Sequence, residues 1–241
     1  KIAKHGNRSV SSLSGSADVL EKIGINLNAT ATELLTSIEQ YNFGFCYAPN
    51  FHPTLLALKQ IRKKLAIPTL FNLVGPLLNP AQSDYLMIGV ADASYIGCMA
   101  GALLKLGVKR ALVFNGSGLD EISCVGPIHM AELNHGSLKH YQLDPQAYGF
   151  KYCQIEELQG DAADYNAKII LETLNGKPGA IADTLILNAG LAIYLYGLCE
   201  SKQQAIDIAR QAHINGRGYQ LITALQQSNI ASSHFSEHTH A

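Results

Sequence analysis

Between residues 85 and 115 the apolar period changes twice, and that change constrains the fold more than any other feature of the chain. Residues 85–90 form an apolar run of strand length, residues 95–106 carry a helical pattern, and residues 110–115 return to a strand-length run. A strand, a helix and a second strand joined by short connections read as a βαβ unit, which calls for a parallel pair with the helix laid across it. The remaining punctuation agrees with an alternating chain. Residues 17–23 are helical in period, and Thr30 followed by Glu33 is a capping box that opens a helix to about Tyr41. Pro53 suits the first turn of a helix reaching about Leu65, and residues 69–74 read as a strand entering a Gly-Pro and Asn-Pro turn. Two β-like runs, 129–133 and 137–143, flank Asn134-His135-Gly136, a hairpin-type turn. Helical patterns fill 162–174, 180–198 and 202–226. The expected architecture is α/β, a central mostly parallel sheet flanked by helices, in one domain over residues 1–228 with 229–241 as a flexible tail.

Composition narrows the function classes. The 241 residues carry 18 Lys plus Arg against 19 Asp plus Glu, so the formal net charge is -1. A nucleic-acid binder needs a basic face to neutralise phosphates, and a disordered chain lacks the 47% hydrophobic residues found here. Cys46, Cys98, Cys124, Cys153 and Cys199 are scattered without a C-x-x-C pair, as expected of reduced thiols in a cytoplasmic protein. The longest apolar stretch, 180–198, is interrupted by Asp183, Thr184 and Asn188, so it reads as a core helix and no membrane partner is expected. Lys1-Ile2-Ala3-Lys4 has no apolar core of the kind a leader needs.

Loops carry the chemistry in a fold of this class, because ligands bind at the carboxyl ends of the strands. The segment Lys4, His5, Gly6, Asn7, Arg8, Ser9, Val10, Ser11, Ser12 leads into Ser14, Gly15 and Ser16 before a helix. Two cations, a glycine and a run of hydroxyls at a helix N-terminus suit a phosphate or diphosphate, or else form a solvated serine-rich tail. Asp120 and Glu121 follow the strand ending at Asn115. Adjacent carboxylates there suit Mg²⁺, which takes few protein oxygens and keeps water and phosphate for the rest, or else they form a solvated acidic turn. Arg62, in the helix after Pro53, offers bidentate recognition of a carboxylate. There is no nucleophile elbow and no complete dinucleotide fingerprint.

These strings, together with residues 47–53 and 69–80, resemble in order and spacing the anthranilate phosphoribosyltransferase family. The resemblance runs from Lys4 to about Gln227. It implies a nucleoside phosphorylase/phosphoribosyltransferase-like domain whose reaction moves the phosphoribosyl group of 5-phosphoribosyl 1-diphosphate to the amino group of anthranilate, a step of tryptophan biosynthesis. It implies that Lys4, the segment to Ser12 and Ser16 contact the diphosphate substrate, that His5, Asn7 and Arg62 form the anthranilate site with His5 helping the amine lose its proton, and that Asp120 and Glu121 bind magnesium. It also implies a homodimer and, in some members, a fused or separate glutamine amidotransferase. The family's N-terminal helical subdomain, glycine-rich loop and Asn-x-Ser-Thr segment have no counterpart before Lys4, so the expectation is a chain with that subdomain largely missing. A pyrimidine nucleoside phosphorylase and a catalytically silent nucleic-acid-binding homologue are the competing expectations.

Overall fold

The computed structural model describes residues 1–9, 13–54 and 73–237, with side chains to residue 228. In chain order the elements are β1 (Ile2–Gly6), α1 (Ser16–Ile23), α2 (Ala31–Tyr41), β2 (Phe43–Tyr47), α3 (Ala48–Phe51), β3 (Tyr85–Gly89), α4 (Tyr95–Lys105), β4 (Arg110–Gly116), β5 (Ile128–Asn134), β6 (Ser137–Leu143), α5 (Ala163–Leu174), α6 (Ala180–Tyr196), α7 (Lys202–Ile214) and α8 (Arg217–Glu237). The chain is thus α/β, as expected, and it divides into two compact units. Among the described residues no helix is long and apolar enough to cross a membrane.

The first unit comprises Lys1–Ala81, Gly160–Asn175 and Arg217–Ala241. Its sheet is the parallel pair of β1 and β2, in register from Ile2 opposite Phe43 to Gly6 opposite Tyr47. Helix α2 starts as its capping box predicts: the Thr30 hydroxyl accepts from the Glu33 N–H at 3.3 Å, and the Glu33 carboxylate accepts from the Thr30 N–H at 2.7 Å. The core gathers Ala17, Val19 and Ile23 of α1 with Phe45 of β2, Ala167 of α5, and Ile222 and Leu225 of α8. Full burial of a side chain the size of Ile23 or Phe45 contributes about 1.5–3 kcal/mol, and this fixes the face that α1 presents to the strands.

The second unit comprises Gln82–Gln159 and Gly176–Gly216. The expected βαβ element is present: β3 and β4 pair in parallel, Tyr85 opposite Arg110, with α4 between them in sequence. Helix α4 buries Ile96, Met99, Ala100 and Leu103, an i, i+3, i+4, i+7 stripe, and packs on β4 and β5. All of β4 after Arg110 is buried, as befits a strand covered on both faces. Strands β5 and β6 form the predicted hairpin, with His135 and Gly136 both at positive φ, 45° and 86°. That is the backbone of a type I′ turn, which a glycine adopts without strain.

Four expectations need correction. The four-stranded sheet, in the order β3-β4-β5-β6, is mixed, because the hairpin turns β5 antiparallel to β4. Leu73 and Val74, the described part of the expected strand at 69–74, are helical and run into a 3-10 turn at Gly75–Leu78, where Pro76 pre-sets φ. Lys4, His5 and Gly6 do not lie in a loop but on β1, which pairs with β2 and receives the Asn79 side-chain amide on the Ala3 carbonyl at 2.9 Å. The single helical pattern over 202–226 is two helices broken at Asn215-Gly216.

Candidate active site

In the first unit the site grows from the carboxyl end of β1. Side chains alternate across a strand, so Lys4 and Gly6 belong to one face and His5 to the other. Lys4 is exposed. A methyl group added at Gly6 would stand 2.8 Å from the Ser16 hydroxyl oxygen and 2.9 Å from the Phe45 ring, so the glycine lets the strand end close on the first residue of α1. Asn7, Arg8 and Ser9 follow. Asn7 accepts the Arg8 N–H on its side-chain oxygen at 2.8 Å and the Ala17 N–H on its carbonyl at 3.4 Å, which draws the start of the loop onto α1. The Arg8 guanidinium, expected among the substrate contacts, is engaged by Asp18 and Glu21. Val10, Ser11, Ser12 and Arg62 lie outside the described residues.

On the opposite face, His5 meets His52 edge to face, with ring centroids 5.2 Å apart. His52 Nε2 donates to the Leu78 carbonyl at 2.8 Å. His5 Nε2 is buried and, among the described residues, has no hydrogen-bond partner. Burial, and secondarily the neighbouring His52, lowers the His5 pKa below its ordinary value of 6.5 against an opposing backbone hydrogen bond at Gly75. The ring is therefore neutral at pH 7, with a nitrogen left over for a ligand. Sequence reasoning missed this pairing, and residues 47–53 with 75–79 contained its only signal: a histidine beside prolines that fix two turns.

In the second unit the site lies at the carboxyl ends of β3 and β4. Gly116 and Leu119 exchange backbone hydrogen bonds at 2.9 and 3.2 Å around Ser117 and Gly118, both at positive φ, closing a tight turn. Asn115, only 4% exposed, holds that turn: its amide donates to the Val90 carbonyl at 2.8 Å and its oxygen accepts the Gly118 N–H at 3.0 Å. Ser123, fully buried, donates to the Gly116 carbonyl at 3.1 Å. Asp120 and Glu121 project from this anchored turn and are exposed. Gly89, ending β3, is pressed on the Asp120 backbone so closely that a methyl group there would collide with the Asp120 carbonyl.

Among the described residues no three His, Cys, Asp or Glu side chains already form a metal cage. The Asp120-Glu121 pair still fits Mg²⁺, whose shell is completed by water and substrate oxygens around one or two carboxylates. The expected residues thus fall into two groups, Lys4 to Ser9 with Ser16 in one unit and Asp120 with Glu121 in the other.

The model of the glycosyl transferase family, a/b domain, matches residues 1–219. The chain is 43% identical over 222 residues to the anthranilate phosphoribosyltransferase of Chlamydia felis, covering 92% of this chain and 65% of the relative. It is 40% identical over 235 residues to that of Bacillus mycoides, covering 97% and 68%. The crystal structure of anthranilate phosphoribosyltransferase from Thermus thermophilus superposes with a TM-score of 0.87 at 36% identity, over 94% of this chain and 68% of that one. The Saccharomyces cerevisiae enzyme, in complex with PRPP and Mg, gives 0.86 at 25% identity, over 96% and 65%. The chain therefore spans about two thirds of the length of the relatives it matches.

Proposed function

The chain belongs to the anthranilate phosphoribosyltransferases of the glycosyl transferase family, and from that premise we propose that it transfers the phosphoribosyl group of 5-phosphoribosyl 1-diphosphate to the amino group of anthranilate, releasing pyrophosphate. The observation that carries the reading is the division of labour on β1, where a cation and an imidazole on adjacent residues serve opposite faces. Lys4, Gly6, Asn7, Ser9 and Ser16 gather at a strand end and a helix N-terminus, the arrangement that holds a diphosphate. His5, neutral and with a nitrogen that no described residue satisfies, faces the other way and suits the aromatic amine. Arg62 pairs with the anthranilate carboxylate in this reading, and Asp120 and Glu121 hold Mg²⁺. When bound, the metal supplies neutralisation of the charge growing on the pyrophosphate.

The reaction asks for charge stabilisation and orientation more than for proton abstraction. Lys4 and the backbone N–H groups at the start of α1 meet the departing diphosphate, where preorganised donors act most strongly. The amine is neutral at pH 7, so it needs to be aimed at the ribose carbon. His5 accepts its proton as the new bond forms. The setting of this proposal is a cytoplasmic homodimer with a glutamine amidotransferase as fused or separate partner.

Three outcomes are expected here. Turnover holds through neutral pH and falls on the acid side with a midpoint below 6.5, because His5 takes a proton less readily than a free imidazole; a midpoint above 6.5 contradicts the role. The same sign governs stability: the unfolded chain binds that proton more readily, so the His5 contribution is present above 6.5 and is lost as pH falls below it. Arg62→Ala raises the KM for anthranilate about 10- to 100-fold, the value of a charge-assisted pair, and leaves that for phosphoribosyl diphosphate unchanged. An unchanged anthranilate KM removes Arg62 from the site. The overall reading is tested by the loss of anthranilate fluorescence on adding phosphoribosyl diphosphate and Mg²⁺.

A further inference from the structure

One carboxylate at the start of α1 has no task in the chemistry above. Asp18 stands in the first turn of α1, and its Oδ2 accepts the Ser9 N–H at 3.1 Å and the Gly15 N–H at 2.8 Å. Its Oδ1 accepts from Arg8 Nη1 at 2.9 Å. A single side chain thus fastens residues 8, 9 and 15, which enter and leave the loop. Gly15 makes the closure feasible, since a methyl group there would collide with the Ser9 nitrogen. Burial would raise the Asp18 carboxyl, but the Gly15 and Ser9 N–H groups and the Arg8 guanidinium outweigh it and hold the group below the usual carboxylate range.

Arg8 is committed in the same way. Nη1 and Nη2 each donate to one Glu21 oxygen at 2.8 Å, a bidentate fork, while Nη1 also serves Asp18. A negative charge at a helix N-terminus built for an anion would repel that anion if it were bare. A guanidinium locked on it removes the conflict, and residues 8, 9 and 15, already tied down, lose less conformational freedom when the ligand arrives.

We propose that Asp18 is the positioning residue of the diphosphate loop, and that Arg8 acts as its counter-ion and not as a ligand of the phosphates. The proposal rests on the phosphoribosyl reading of this site. It is tested by calorimetric titration of phosphoribosyl diphosphate with Mg²⁺, and separately of anthranilate, into the chain and its variants.

Asp18→Asn keeps the shape but leaves one acceptor where three donors converge. It is expected to weaken phosphoribosyl diphosphate binding about tenfold or more, with anthranilate affinity unchanged and the chain still cooperatively folded at the assay temperature. The double variant Asp18→Asn with Arg8→Gln is expected to bind no more weakly than Asp18→Asn alone, because the two residues act as one unit. Losses that multiply in the double variant place Arg8 on the phosphates and overturn the proposal. So does Asp18→Asn binding at parental affinity, or weakening both ligands together with a fallen midpoint. If Asp18→Asn does not fold, Glu21→Gln decides: it opens the fork that holds Arg8, and tighter phosphoribosyl diphosphate binding by the released guanidinium places Arg8 on the phosphates and overturns the proposal, whereas unchanged or weaker binding is the expected result. Lys4→Ala separates the two levels. Undiminished binding in that variant defeats the phosphoribosyl reading itself, while binding lost there and retained in Asp18→Asn defeats only the role given to Asp18.

Discussion

Replacing Asp120 with asparagine and Glu121 with glutamine together is expected to lower Mg²⁺-dependent turnover on the order of 10²–10³-fold, the equivalent of several kcal/mol of transition-state charge stabilisation. Both side chains are exposed and project from a turn held by Asn115, Ser123 and backbone hydrogen bonds. Neither supports the core, so stability changes by no more than about 0.5 kcal/mol. Asp120→Asn alone shifts the half-saturating Mg²⁺ concentration upward. An unchanged Mg²⁺ dependence in the double variant, with turnover retained, takes the metal role away from this turn.

The second large effect belongs to a residue that touches no substrate. Gly89→Ala places a methyl group on the Asp120 carbonyl, and because the obstacle is backbone the turn has to move. The expected destabilisation is about 1–3 kcal/mol, that of an overpacked site. Turnover falls further than stability does, since a displacement of ~1 Å at a reacting centre loses about 10²-fold. Gly101→Ala, on α4, where nothing stands within 4 Å of the added methyl, serves as the control. A Gly89→Ala protein with parental turnover and Mg²⁺ dependence contradicts the idea that the end of β3 sets the position of Asp120.

The contrast between these residues explains what the sequence discloses. Elements that follow from local chemistry were legible: the period changes around α4, the Thr30–Glu33 capping box, and the Asn134-His135-Gly136 turn all became structure at their predicted places. Strand β1 was not legible, because Ile2-Ala3-Lys4-His5-Gly6 contains one large apolar residue and owes its form to pairing with β2 and to the Asn79 amide. Residues 73–74 were misread for the converse reason: an apolar pair looks strand-like, yet Val74 takes helical dihedrals and leads directly into the 3-10 turn at Gly75–Leu78. Among the candidate site residues, Lys4, His5, Asp120 and Glu121 stood out by residue type. Asp18, Asn115 and His52 did not, since a carboxylate in a first turn, an amide at a strand end and a histidine before a proline are locally ordinary. Their hydrogen bonds to Ser9, Gly118 and Leu78 span 3 to 26 residues. Only the folded chain reveals the longer of these links.

Phosphoribosyl transfer to anthranilate is most directly tested by measuring pyrophosphate release and anthranilate consumption together, in the presence of 5-phosphoribosyl 1-diphosphate and Mg²⁺. The account predicts that the two are stoichiometric, that both stop when either substrate or Mg²⁺ is withheld, and that the mass of N-(5-phosphoribosyl)anthranilate appears. Pyrophosphate release that ignores anthranilate, or phosphorolysis of thymidine in its place, would contradict it.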